Sequence, residues 1–272
     1  MNLKEFEKST GSAANTDLMP VLFVGHGSPM NAIEQNEFTA GWHSMVESIT
    51  IPRAILCISA HWETDGTLVT AMPQPRTIHD FFGFPDQLFR VQYPAPGSLQ
   101  TAFETRDEVH SVDMRLDQTW GLDHGCWSVL RHMFPDATIP VVQLSLNYNL
   151  SPAAHFNLAT ELSRLRRKGI LVIGSGNMVH NLRMINWHSP DGGDEWATAA
   201  NEILKKLIRE GNHKKLVDYT LLGKEVQLAV PTPEHYLPLL YVLAMQENNE
   251  QISFFNDKAV FGSISMTSIK IN

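Results

Sequence analysis

SPAAHFNLATELSRLRRKGILVIGSGNMVH, residues 151–180, contains both halves of one architecture. In its first part Leu158, Leu162 and Leu165 share a helical face, Ser151 stands where an N-cap belongs, and Pro152 suits the first turn. The basic end from Arg164 to Lys168 complements the helix dipole, and Gly169 stops the helix. Then the pattern changes. ILVIGSG, residues 170–176, is a continuous apolar run, short and rich in β-branched residues, as in a strand buried on both faces.

The strand pattern recurs at VLFVG (21–25), AILCISA (54–60), TLVTAM (67–72) and IPVVQLSL (139–146), with helical periodicity in between. This alternation predicts an α/β fold: a single domain whose mostly parallel central sheet is covered by helices on both faces. The closing SISMTSIKI alternates as an additional edge strand would. Residues 1–18 are polar and aperiodic, so a flexible arm is expected ahead of a domain over 19–272. The proline-rich stretches 73–98 and 186–194 read as long loops, which in this architecture tend to carry function.

A formal net charge of −8 argues against nucleic acid and anionic membrane as partners, since both repel an acidic protein. The first twenty residues carry charges where a signal peptide needs an apolar core, and no stretch reaches membrane-span length. A cytoplasmic protein is expected. Cys57 lies in an apolar run and Cys126 in a Gly-Cys-Trp step, and both read as buried, reduced thiols.

Position separates the chain's 12 histidines. His43, His110, His132, His155, His188 and His213 sit in amphipathic or polar segments and read as surface or structural residues. Four others share a context. His26 follows VLFVG, His61 follows AILCISA, and His180 follows ILVIGSGNMV. His235 stands in PTPEHYLPLLYVL, at a helix start where either Thr232 caps and Pro233 leads, or the helix begins later with Pro238 in its first turn.

The carboxyl ends of strands in an open parallel sheet converge on one crevice. The positive end of a helix dipole keeps an imidazole neutral, as a metal ligand must be. A hydrogen bond to backbone explains one strand-end histidine well and four poorly. The pattern therefore points to a metal site at the carboxyl ends of the strands, holding one divalent ion, Zn(II) or Fe(II), with a coordination position open. Gly25 and Gly27, flanking His26, read as clearance for the metal and its substrate. His124, in WGLDHGCW, is either a base or substrate contact beside that site, or a residue that merely packs while Asp123 caps the following helix. His79 and Asp80, in TIHDFFGFP, belong either to an active-site lid or to an aromatic cluster over the core.

GHGSPM, SAHW, TIHDFFGFP, YPAPGS, WGLDHGCW, GSGNMVHNL and PTPEHYLPLLYV, in this order over nearly the whole chain, resemble the class III extradiol ring-cleaving dioxygenases. The likeness is closest to the 4,5-DOPA extradiol dioxygenase group. The resemblance implies a single α/β domain, a mononuclear metal, and O2-dependent opening of a small catechol such as DOPA beside its two hydroxyls, giving a semialdehyde. It implies His26 and His61 as metal ligands and His235 as the last ligand. His180 is implied as the acid and base, described in this group also as a ligand, and His124 as a contact across the site. Better-known class III enzymes complete the site with a glutamate; here His235 takes that place, with Glu234 just before it. An all-imidazole site leaves the metal its full charge and suits Zn(II) as well as Fe(II).

Two other functions use the same residues. In a zinc hydrolase of the amidase or peptidase kind, Glu234 or His180 would be the base and turnover would not depend on oxygen. A non-catalytic metal-binding scaffold would keep the fold without the chemistry. A scaffold has no evident need for His124 and His180 beside its metal.

Overall fold

The structure, a computed structural model, describes residues 18–272. The arm expected over 1–18 therefore lies, apart from Leu18, outside the described residues. The strands are β1 (Val21–Gly25), β2 (Ala54–Thr64), β3 (Thr67–Thr70), β4 (Met114–Asp117), β5 (Val141–Asn147), β6 (Ile170–Gly176), β7 (Ile252–Phe255), β8 (Ala259–Val260), β9 (Ile264–Ser265) and β10 (Ser268–Ile271). The main sheet runs β4-β3-β5-β2-β6-β1-β10-β7, and β8 pairs with β9 alone.

Strands β5, β2, β6 and β1 are parallel neighbours. Every residue of β1 and β6 is buried, so both had to be apolar runs rather than alternating ones. The sheet's two ends are less regular. On one side β3 meets β5 antiparallel and carries β4; on the other β10 and β7 are added antiparallel. The additional strand read from SISMTSIKI is present as β10, but it is not the edge. β7, whose ISFF is only half-buried, pairs outside it.

The principal helices are α1 (Glu37–Glu47), α2 (Leu99–Glu108), α3 (His124–Met133), α4 (Pro152–Leu162), α5 (Glu195–Arg209) and α6 (Leu237–Ala244). Successive strand residues point to opposite faces, and the core divides accordingly. Val21 and Phe23 of β1 join α2, α4, α5 and α6 through Ala102, Leu158, Leu204 and Leu240. Leu22 and Val24 join α1 and α3 through Trp42, Trp127 and Leu130. Both faces of one sheet are covered in a single α/β domain. No helix among the described residues is long and apolar enough to cross a membrane.

The helix read from 151–169 begins as expected: the Ser151 hydroxyl accepts from the Ala154 N–H and Pro152 opens the first turn. Beyond Leu162 it tightens into 3-10 turns over Ser163–Lys168 and stops at Gly169, whose φ of 71° is left-handed. Further along, the glycines of GSG let α6 lie close on β6. A Cβ on Gly174 would stand 2.5 Å from the Pro238 carbonyl oxygen, and one on Gly176 would stand 2.2 Å from that of His235.

Candidate metal centre

His26 leaves the end of β1 with its backbone N–H donated to the Gly176 carbonyl at the end of β6, 3.2 Å away. The glycines beside it, read from the sequence as clearance for the metal and its substrate, instead make room for Met266. A Cβ on Gly25 would meet the Met266 backbone at 2.6 Å; one on Gly27, at φ 60°, would meet the Met266 sulfur at 2.4 Å. The space belongs to the stretch between β9 and β10, which only the tertiary fold brings here. Ser28 then caps the 3-10 turn Pro29–Ala32 that leads the chain away.

His61 lies within β2, where the register against β5 jumps between Ile58 and Glu63. Such a bulge re-aims side chains. His180 is held by its N–H to the Ala229 carbonyl (2.9 Å) and by a bridge to Ile264 of β9. Of the two starts open to the last helix, the later is found: α6 begins at Leu237 with Pro238 in its first turn. His235 precedes it, and its carbonyl accepts the Asn177 N–H at 2.9 Å.

All five candidate histidines come together. The rings of His26, His61 and His235 form a nearly equilateral triangle, with centroid separations of 5.0, 5.0 and 5.1 Å. His124 stands against His61 at 3.9 Å, and His180 stacks on His235 at 3.5 Å. The two flank the triangle at different members. His26 and His61 present their Nε2 atoms to each other at 3.1 Å.

Hydrogen bonds fix which nitrogens are free. Ser175 Oγ donates its one proton to the Gly125 carbonyl at 2.5 Å, so toward His26 Nδ1, 3.0 Å away, it accepts. His26 is therefore protonated at Nδ1 and turns a lone pair on Nε2 toward His61. Asp80 accepts from both Nδ1 of His124 (2.9 Å) and its backbone N–H (2.8 Å), and lies 3.5 Å from His61 Nδ1. Burial works against that carboxylate, but the His124 hydrogen bond and the charges of His124 and His61 outweigh it and hold its pKa below the ordinary value. A buried Nδ1 of His235 has no hydrogen-bond partner.

The pKa values of His26, His61 and His235 are all well below that of free histidine, first because of burial and then because neighbouring histidines repel a second charge. They are neutral donors. Burial, and after it His124, pulls His180 down to about 4, lower than the near-neutral value that proton exchange at pH 7 favours.

This arrangement fits one metal ion. Rings bound end-on at about 2.0–2.1 Å, with angles near those of a tetrahedron or octahedron, have centres roughly 4.5–5.3 Å apart and nitrogens roughly 2.9–3.4 Å apart. The observed sides and the 3.1 Å Nε2 separation fall in these ranges. By ligand-atom distance, the triads among the described residues whose atoms all lie within 4.8 Å of one another are His26 with His61 and His124, and His180 with Glu234 and His235; His235 joins His26 and His61 by ring position.

Of the two readings of His124, the Asp123 cap is observed. Asp123 does cap α3, accepting the Cys126 N–H at 3.1 Å, and His124 also faces the cluster. Around His79 the aromatic cluster is what forms, with Phe81, Phe89 and Trp127, while the adjacent Asp80 reaches the site. The sequence singled out Asp80 only as part of a lid or an aromatic cluster, and it did not single out Ser175; both contact the histidine cluster. Ser175 carried a signal, a hydroxyl inside an apolar strand; for Asp80, 44 residues from its partner, the motif gave no hint of the pairing with His124. The histidines read as structural are so: His132 bonds the Asn31 carbonyl, and His155 is sealed between Tyr241 and Asn147. Cys57 and Cys126 are free and buried.

Comparison with known proteins agrees with this geometry. Residues 20–268 match the family model described as the catalytic LigB subunit of aromatic ring-opening dioxygenase. A relative in Escherichia coli strain K12, called 4,5-DOPA dioxygenase extradiol, is 46% identical over 257 residues, covering 93% of this chain and 94% of its own. A Beta vulgaris relative of the same name is 34% identical over 263 residues, covering 93% and 97%. A crystal structure of an uncharacterised Escherichia coli K12 protein superposes with a TM-score of 0.81 at 41% identity, covering 93% of this chain and all of the other. Members of such a family are metal-dependent and act on a small aromatic substrate with O2. The chain thus belongs to the LigB family of aromatic ring-opening dioxygenases and is a ring-cleaving dioxygenase.

Proposed function

We propose that this chain opens the ring of a catechol such as DOPA beside its hydroxyls, at the 4,5 bond, with one divalent metal held by His26, His61 and His235. The observation that carries the ligand set is the triangle of rings with sides of 5.0 to 5.1 Å, two of whose nitrogens face each other at 3.1 Å. The names of the relatives support the substrate. When bound, Fe(II) would anchor the catechol oxygens and relay electrons to O2, whereas Zn(II) offers no redox step, so Fe(II) is the proposed working metal.

The chain's own part is orientation and proton handling. His180 is neutral at pH 7 and stacks beside His235, where it takes the proton of a catechol hydroxyl. With a pKa of about 4 it holds that proton weakly and returns it readily to an oxygen as the ring opens. His124, held through Nδ1 by Asp80, offers Nε2 to the other hydroxyl. The product is a semialdehyde containing both atoms of O2, which for DOPA closes to a new ring without the protein. A cytoplasmic setting belongs to the same proposal, supported by two free cysteines and by the lack of a membrane-crossing helix among the described residues.

Anaerobic loading with Fe(II), followed by DOPA and then oxygen, is expected to give the yellow semialdehyde and to consume O2 and DOPA in equal amounts. Iron-loaded protein that colours with none of a panel of catechols overturns the proposal. His180→Ala should retain metal and lose turnover; loss of metal would make His180 a ligand.

A further inference from the structure

A pocket of about 240 Å³ opens beside His180, lined among others by Leu182, Arg183, Pro231, Thr232 and Glu234. Whole-ligand sites commonly span about 300–1,000 Å³. The pocket suits a substituent rather than an entire substrate, and its position beside His180 suits the substituent of a ring lying at the imidazoles.

Its charges are unusual for this chain. Every other arginine among the described residues has a partner: an acid for Arg53, Arg90, Arg106, Arg164, Arg166 and Arg167, a carbonyl for Arg76, Arg115 and Arg131, a ring for Arg209. The Arg183 guanidinium has none among the described residues. Its backbone, by contrast, is fixed. The Arg183 N–H donates to Asn181 Oδ1 (3.2 Å), and Asn181 in turn donates to the Leu228 carbonyl (2.8 Å). Opposite in charge stands Glu234, whose Oε1 accepts the Thr232 hydroxyl at 2.8 Å. A held backbone with a free planar fork of donors is prepared for a carboxylate, and a carboxylate fixed by a hydroxyl is prepared for an ammonium.

On the dioxygenase reading above, we infer that this pocket selects the side arm of the catechol, Arg183 binding its carboxylate and Glu234 its ammonium. An α-amino acid arm meets both groups; an arm with one charge meets one, and a neutral arm meets neither. Apolar contact from Leu182 and Pro231 covers the carbon between.

The test compares kcat and KM of the Fe(II)-loaded protein for DOPA, 3-(3,4-dihydroxyphenyl)propionate, dopamine and 4-methylcatechol. A charge-assisted pair is worth about 10- to 100-fold in such a comparison. Arg183→Met is expected to lower the kcat/KM ratio of the propionate to 4-methylcatechol by about that factor, mainly through KM, and Arg183→Lys to restore part of it. Glu234→Gln is expected to lower the ratio of dopamine to 4-methylcatechol in the same way. An Arg183→Met ratio within twofold of wild type, or a fall in kcat shared by all four substrates, overturns the inference while wild-type turnover leaves the dioxygenase reading standing. Wild-type protein that opens none of the four overturns both.

Discussion

Replacing Ser175 by alanine removes one oxygen from the floor of the histidine cluster and tests how the site is tuned. In the native protein that oxygen accepts from His26 Nδ1 at 3.0 Å and donates to the Gly125 carbonyl at 2.5 Å, in a position wholly inaccessible to solvent. The variant leaves an imidazole N–H and a carbonyl buried without partners. An unmet buried group costs about 1–3 kcal/mol, so the metal-free protein should lose at least about 1–3 kcal/mol in urea unfolding. Loss of a hydrogen bond that orients a ligand typically weakens metal affinity about 10- to 100-fold, or about 1.4–2.7 kcal/mol. Competition for Zn(II) with a chromophoric chelator at neutral pH measures this directly. A dissociation constant within twofold of wild type, with the fold intact, would refute the assignment of His26 as an Nε2 ligand steered by Ser175. Tighter binding would mean that Ser175 normally holds the wrong tautomer.

Asp80→Asn should lower turnover about 10- to 100-fold while most metal is retained, since the carboxylate orients His124 and only approaches His61; metal lost in parallel with activity would contradict this. Gly176→Ala puts a methyl 2.2 Å from the His235 carbonyl oxygen. It should cost about 1–3 kcal/mol of stability and displace a proposed ligand, and unchanged metal content in a fully stable protein would count against the close packing. His155, sealed between Tyr241 and Asn147, has a pKa lowered to about 4 by burial. The unfolded chain therefore binds its proton first as pH falls. The stability from a neutral His155 is fully present above about pH 6.5 and lost progressively toward pH 4, by about 3 kcal/mol in all. Urea unfolding of wild type and His155→Phe at pH 7 and pH 4.5 should show a shallower acid loss in the variant; equal slopes would refute it.

The central strands were legible because burial on both faces writes them as continuous apolar runs, as in VLFVG and ILVIGSG. β4 and β7 escaped notice for the converse reason: MRLD and ISFF are short and only partly buried. Four of the clustered histidines stood out by position, His26, His61 and His180 after strand runs and His235 at a helix start, whereas position left two readings open for His124. What surrounds them was not legible. Gly25 and Gly27 make room for Met266, some 240 residues on, and no local pattern distinguishes that from room for a ligand. Asp80 sits among phenylalanines in a loop that reads equally as a lid or as packing, and its pairing with His124 exists only once α3 and that loop meet. That Arg183 has no partner among the described residues is visible only against the partners of all the other arginines.

The account rests on which imidazoles share one ion, and anomalous diffraction from crystals of the metal-loaded protein at the metal's absorption edge measures that most directly. It predicts one peak within bonding distance of His26 Nε2, His61 Nε2 and a ring nitrogen of His235, with His124 and His180 beside it but unbound. A peak held by His26, His61 and His124, or one between His180, Glu234 and His235, would contradict it.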